Sequence, residues 1–166
     1  MAEAALSILP AEKAARYAAL RSEIAAVIAG ETNVIARYAS AASLLAQAFA
    51  DRFIWTGFYL VDPLKADELV VGPYQGSLGC LRIPFGKGVC GAAAARRETI
   101  MVADVHAYPG HIACDSRSNS ELVTPVFDRS GNLAAVLDVD SAEYAAFDAT
   151  DRQGLEAICA DLLANP

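Results

Sequence analysis

The chain has 166 residues, 55% of them hydrophobic and 20% charged, so it is too apolar for a disordered chain and long enough to enclose one core. Its 20 Asp and Glu against 13 Lys and Arg leave a net charge of −7. The basic residues are three Lys and ten Arg, scattered rather than clustered, which excludes a general nucleic-acid binder. Mean hydropathy is +0.31, yet no run approaches the roughly 18 uninterrupted apolar residues that a membrane span needs. The start, MAEAALSILPAEK, carries Glu3 and lacks a basic stretch, so no secretory leader is expected. The default compartment is then the cytoplasm. There, four cysteines stand for thiol chemistry, metal binding or plain core rather than structural disulfides.

The N-terminal third reads as helix. From Pro10, a favourable first-turn residue, the apolar positions Tyr17, Leu20, Ile24, Val27 and Ile28 follow helical spacing up to Gly30. Thr32 is placed to cap a second helix with the stripe Val34, Tyr38, Ala41, Leu45 and Phe49. After Asp51 the pattern switches. FIWTGFYLV (Phe53 to Val61) and ELVVGPY (Glu68 to Tyr74) read as strands, the first apolar on both faces and therefore central. CLRIPF is a third strand, GVCGAAAARRE a short helix, and TIMVAD a fourth strand. From Val105 to Ser120 there is no periodicity. A loop of that length in a compact domain is more often functional than filler. ELVTPVFD and NLAAVLDVD form a hairpin about the turn DRSG, and a closing helix runs from about Ala149 to Leu163. Residues 1–166 thus read as one α+β unit. Helices over 1–50 pack on the sheet, and residues 51–166 supply the sheet, the long functional loop and the closing helix. The sheet is largely antiparallel, with the terminal helices on one face.

Gly86-Lys-Gly88-Val-Cys-Gly91 matches G-x-G-x-x-G after a strand, but the second βα repeat and the acidic residue of a dinucleotide site are missing. These glycines are read as a tight turn that lets backbones approach, and no cofactor is expected. The cysteines are Cys80, Cys90, Cys114 and Cys159, separated by nine, 23 and 44 residues. That spacing supports no structural zinc site. Cys159 falls on the apolar stripe of the closing helix and reads as core. Cys80 opens a strand. Cys90 sits in the first turn of a helix, where the dipole favours thiolate, and Cys114 lies in the long loop near Arg117. Three thiols around one polar loop point to redox chemistry.

Asp138 and Asp140 are two apart on a strand and share a face, and Glu121 starts the partner strand. Carboxylates grouped on a mostly buried face are costly unless a cation joins them, which suits a metal or a ligand's ammonium. Trp55 and Tyr59 lie on one face of their strand, with Phe53. They form either core or an apolar cup for a methyl or thioether group.

WTGFYL, LVVGPYQGSLGCLRIPFGKGVCGAAA, DVHAYPGHIACDSRSNSELVTPVFD and LDVDS together resemble the free methionine-R-sulfoxide reductases, small stand-alone enzymes of the GAF fold. The resemblance runs from about Asp51 to the end, and the three-cysteine spacing with HIACDS and SELV makes it specific. It implies a six-stranded antiparallel sheet flanked by helices, usually in a homodimer. The implied activity is reduction of free L-methionine (R)-S-oxide with thioredoxin as reductant, a part of the response to oxidative stress. By the same resemblance Cys114 is the nucleophile, Cys80 its disulfide partner, and Cys90 a further cysteine able to take part. Glu121, Asp138 and Asp140 would hold the substrate's ammonium and sulfoxide ends, with Trp55 and Tyr59 beside them. No metal is implied. A non-catalytic GAF sensor for a metabolite or nucleotide is the alternative, with a thiol redox sensor behind it; the lack of fused signalling domains weighs against the first.

Overall fold

In the computed structural model, which describes residues 9–164, the helices are α1 (Pro10–Val27), α2 (Val34–Ala48), α3 (Gly88–Arg96) and α4 (Ala149–Leu162). The strands are β1 (Trp55–Asp62), β2 (Lys65–Gln75), β3 (Arg82–Pro84), β4 (Ile100–Val102), β5 (Ser120–Phe127) and β6 (Leu133–Ser141). They form one sheet in the order β3-β2-β1-β6-β5-β4, and every neighbouring pair is antiparallel. The double-sided apolar run of β1 is explained by its place in the middle, covered on both faces.

One face carries α1, α2 and α4. Tyr17, Leu20 and Ile24 of α1, Tyr38 and Leu45 of α2, and Leu155, Ile158 and Leu162 of α4 meet Phe58, Leu122, Leu137 and Val139 of the sheet. Burying each such side chain contributes about 1.5–3 kcal/mol, so this layer supplies most of the hydrophobic stabilisation. Cys159 belongs to it, as its position on the stripe predicts. The cap of α2 differs from the expectation. Asn33, not Thr32, accepts a hydrogen bond from the Ala36 amide at 3.1 Å. A buried polar cluster ties α1 to α4: Lys13, 4% exposed, donates to Asp148 at 2.7 Å and to Asp151 at 2.8 Å. Asp148 and Asp151 also form the capping box of α4, so one ion cluster sets both the start of that helix and its docking.

The opposite face is covered differently, by α3 and the long segment between β4 and β5. Trp55, Tyr59, Val89, Cys90, Ala93, Val105, Val123 and Val136 form a second, smaller core there. That segment is not structureless throughout: Val105–Ala107 makes one 3-10 turn, started by Asp104 accepting from the His106 amide at 2.9 Å. The glycine motif ahead of α3 behaves as a turn. Gly86 donates to the Gly91 carbonyl at 2.8 Å, and a Cβ at Gly91 would lie 2.3 Å from the Pro84 carbonyl oxygen. The loop therefore folds onto its own backbone instead of opening a phosphate cradle. Between α3, the long segment and the sheet lies a narrow cleft.

Candidate active site

Three strands set the floor of the cleft. Asp140 on β6 is flanked by Trp55 on β1 and by Glu121 on β5, so these residues form one row across the sheet. Asp138 is two positions back along β6, on the same face, opposite Gly57 and Val123. Trp55 stacks on Tyr59 at 5.6 Å and on Tyr74 at 5.2 Å, and its indole N–H donates to the Ser77 carbonyl at 2.9 Å. The result is an aromatic wall with its polar edge satisfied. Phe53 is not part of it: that ring packs in the other core, against Phe49 and Phe147. The chain is still turning at that point, with the Phe53 amide bonded to the Phe49 carbonyl at 2.8 Å, so strand alternation does not extend back to it.

From above, α3 lowers Cys90 onto the acids. Its Sγ lies 3.9 Å from Glu121 Oε1 as a thiol donor, and the ligand atoms of Cys90, Glu121 and Asp138 all fall within 4.8 Å of one another. That convergence suits one small cationic group. Glu121 and Asp138 are both 6% exposed, and Asp138 Oδ1 accepts no hydrogen bond among the described residues. A buried carboxylate oxygen left without a donor calls for an explanation, and a donor group on a molecule in the cleft would satisfy it. Burial, and then the charge of Asp140, push Glu121 well above the usual carboxylate range. Burial raises Asp138 likewise, with Asp140 and Glu121 adding to it. Burial raises Asp140 less, to about 6, because the Ser118 hydroxyl and the His111 ring oppose the shift.

Cys90 departs from its expected behaviour. A helix N-terminus is worth about 0.3–1 kcal/mol to a thiolate, whereas burial in apolar surroundings shifts a group by several pKa units. Here burial and the neighbouring Asp138 and Glu121 hold the Cys90 thiol well above its ordinary value, so it stays protonated.

Cys80 and Cys114 are bonded to each other, with Cα atoms 5.6 Å apart. Cys114 and Cys90 both line the cleft. Cys80 reaches its partner because the chain before it crosses closely over the aromatic wall. A Cβ at Gly79 would lie 3.0 Å from the Trp55 ring and from the Tyr59 hydroxyl. On the other side, Gly88 opens α3 at φ +60° and lies against Ile112, so the loop carrying Cys114 closes over the helix. The two arms are also pinned beside the disulfide, where Ser77 donates to Asp115 at 2.7 Å. Arg117 is taken up by the same carboxylate, at 2.7 Å, and pairs with Asp115 rather than standing free to stabilise a Cys114 thiolate. With the disulfide formed the cleft has a free volume of about 30 Å³, room for a water molecule or two.

The seven proposed site residues other than Cys80, namely Trp55, Tyr59, Cys90, Cys114, Glu121, Asp138 and Asp140, all line this one cleft, and Cys80 is bonded to Cys114 at its rim. Two lining residues that touch these acids were not singled out in the sequence. His111 places Nε2 at 3.3 Å from Glu121 Oε2, and the Ser118 hydroxyl donates to Asp140 Oδ1 at 2.6 Å. Both belong to the long polar loop, whose composition marked the region but did not separate one polar residue from another.

Residues 38–163 match the GAF domain family, and the six-stranded antiparallel sheet flanked by helices is the α+β fold of that class. Among relatives, the chain is 44% identical over 146 residues to the free methionine-R-sulfoxide reductase of Escherichia coli K12, covering 88% of this chain and 86% of that one. It is 40% identical over 132 residues to the enzyme of the same name from Saccharomyces cerevisiae, covering 78% and 73%. The solved structure of free methionine-R-sulfoxide reductase from Neisseria meningitidis in complex with its substrate is 45% identical, with a TM-score of 0.86 over 99% of this chain and 94% of that one. The chain belongs to the family of the free methionine-R-sulfoxide reductases, which are oxidoreductases.

Proposed function

We propose that this chain reduces free L-methionine (R)-S-oxide to L-methionine, using Cys114 as nucleophile and Cys80 as resolving thiol. The observation that carries the proposal is the Cys80–Cys114 bond at the rim of a cleft floored by three buried acids. The Cys114 thiolate attacks the sulfoxide sulfur while a protonated carboxyl of the cleft passes its proton to the sulfoxide oxygen. The sulfoxide S–O bond breaks, the oxygen passes to Cys114 Sγ as the new bond between the two sulfurs breaks, and methionine leaves with that electron pair, so Cys114 is left as a sulfenic acid. The Cys80 thiolate then attacks Cys114 Sγ, forming the disulfide and releasing the oxygen as water. Two electrons have passed from the two thiols to the substrate. An external dithiol, thioredoxin by family resemblance, restores both thiols by exchange. Cys90 serves as a buried hydrogen-bond donor to Glu121 rather than as a resolving thiol, which its protonated state supports.

The acids also account for selectivity toward the free amino acid. A peptide-bound methionine sulfoxide brings no ammonium, so seating it leaves a buried carboxylate unpaired, at a cost of about 1–3 kcal/mol or more. Trp55 and Tyr59 pack against the substrate's methyl and side chain. Because the disulfide-bonded cleft is small, substrate enters the reduced form. We take the whole chain as one GAF unit acting as a cytoplasmic homodimer. An NADPH-coupled thioredoxin assay comparing free R-sulfoxide, free S-sulfoxide and a peptide sulfoxide tests the reading. Turnover confined to the free R isomer supports it, and no turnover of that isomer overturns it.

A further inference from the structure

The three acids of the cleft cannot all play one part. The substrate brings a single positive ammonium, so one ionised carboxylate balances it, while two more unneutralised charges within a few ångströms would repel strongly in a water-poor site. The other two acids must be neutral, and neutral carboxyls are also what a sulfoxide oxygen needs as donors. Local hydrogen bonding is the feature that separates them. Asp138 Oδ1 has no donor among the described residues, and Glu121 meets the weak Cys90 thiol donor at 3.9 Å, the His111 ring at 3.3 Å and the neighbouring Asp138 carboxyl. Asp140 alone receives a short O–H bond, 2.6 Å from Ser118. A hydroxyl donating to a carboxylate favours its charged form.

Ser118 is built for this task. It is 5% exposed, its amide donates to the Asp115 carbonyl at 3.2 Å, and the next amide, of Asn119, donates to the Ser141 carbonyl at 2.8 Å. The backbone is thus clamped beside the end of β6. The neighbouring hydroxyl of Ser120 turns elsewhere, to the Glu143 carbonyl at 2.6 Å. We propose that Ser118 is a positioning residue of the reaction: its hydroxyl selects Asp140 as the one ionised acid of the cleft and aims it at the substrate's ammonium, leaving Glu121 and Asp138 as the neutral donors to the sulfoxide oxygen. The assignment of the last step rests on the reductase reading; the hold of Ser118 on Asp140 does not. The groups that face Asp140 are Glu121 on β5, Asp138 on its own strand, Cys90 on α3, and His111, Asp115 and Ser118 on the loop.

The test is Ser118→Ala with Ser118→Thr as the conservative variant, assayed for reduction of free methionine sulfoxide with dithiothreitol as electron donor. Removing the hydroxyl should raise KM about tenfold while kcat changes by less than about threefold, because ground-state pairing is lost and the nucleophile is untouched. The acid limb of kcat/KM, where activity rises as Asp140 ionises near pH 6, should move up by about one pH unit. Ser118→Thr should restore both. An unchanged KM with an unmoved limb, or a fall in kcat alone, overturns the proposal. A 13C carboxyl NMR titration of the wild-type protein gives an answer that needs neither substrate nor a folded variant. Asp140 ionising below Glu121 and Asp138 supports the proposal, and the reverse order refutes it. A wild type without sulfoxide turnover would sink the reductase reading, and the same titration repeated on Ser118→Ala would still decide the hold of Ser118 on Asp140, which should ionise at higher pH in the variant.

Discussion

Replacing Cys80 with Ser should separate one chemical event from its repetition, and it should do so with a measurable change in stability. Cys80 and Cys114 are 34 residues apart in sequence, so their bond closes a loop of about that size in the unfolded chain. The chain-entropy relation for such a loop yields about 12–13 cal/mol/K, or about 4 kcal/mol at 25 °C, as the stabilisation of the oxidised form. For a chain of 166 residues each kcal/mol moves the melting temperature by about 2–4 °C, so reduction should lower it by roughly 8–15 °C. Thermal unfolding of the wild type with and without dithiothreitol measures the difference. Cys80→Ser should melt at the reduced wild-type temperature and ignore the reductant. The same variant should release about one methionine per chain and then stop with thioredoxin as donor, because the sulfenic acid on Cys114 has no resolving thiol. Sustained wild-type cycling by Cys80→Ser, or equal melting temperatures for the oxidised and reduced wild type, would refute the reasoning.

Cys90→Ser should cycle within about threefold of the wild-type rate, since its thiol lies outside the disulfide and stays protonated; steady-state turnover with thioredoxin checks this. Asp138→Asn keeps the shape but removes an acidic proton from the cleft floor and should lower kcat by about 10²–10³ without lowering the melting temperature; a loss under threefold would exclude Asp138 as a donor. Lys13→Met leaves Asp151 buried with Tyr17 and Arg52 still bonded, at 2.9 and 3.2 Å, and should cost about 2–4 kcal/mol in a urea titration. The pH dependence of stability should change in the same variant. Burial raises Asp148, but the Lys13 ammonium and the Asp151 and Thr150 amides bring it down to about 2. Stability from this depressed carboxyl is present above its unfolded value and is lost as pH falls toward 2, so the acid-unfolding midpoint should rise in Lys13→Met.

The local rules of the chain made much of the fold legible. The helical stripe of Tyr17, Leu20 and Ile24, and that of Leu155, Ile158, Cys159 and Leu162, repeat at the period of a helix and bury as that period demands. The alternation in LDVDS put Asp138 and Asp140 on one face for the same reason. Phe53 was misassigned because the strand period was extended into a turn, and the cap of α2 slipped from Thr32 to Asn33 because both residues can accept from a helix start. The helix-dipole expectation for Cys90 failed on magnitude, since burial outweighs a dipole by several-fold.

By itself, then, the sequence determined the elements, the central place of β1, and the set of thiols, acids and aromatics that the site draws on, because these follow from periodicity and residue chemistry along a short stretch of chain. Only the tertiary structure decided which of them meet. The pairing of Glu121 with Asp140, the closing of Cys80 on Cys114, the seating of Cys90 on Glu121 and the 2.6 Å bond from Ser118 to Asp140 are contacts across different elements. They depend on strand register, on loops clamped at Gly79 and Gly88, and on a burial that no local pattern encodes.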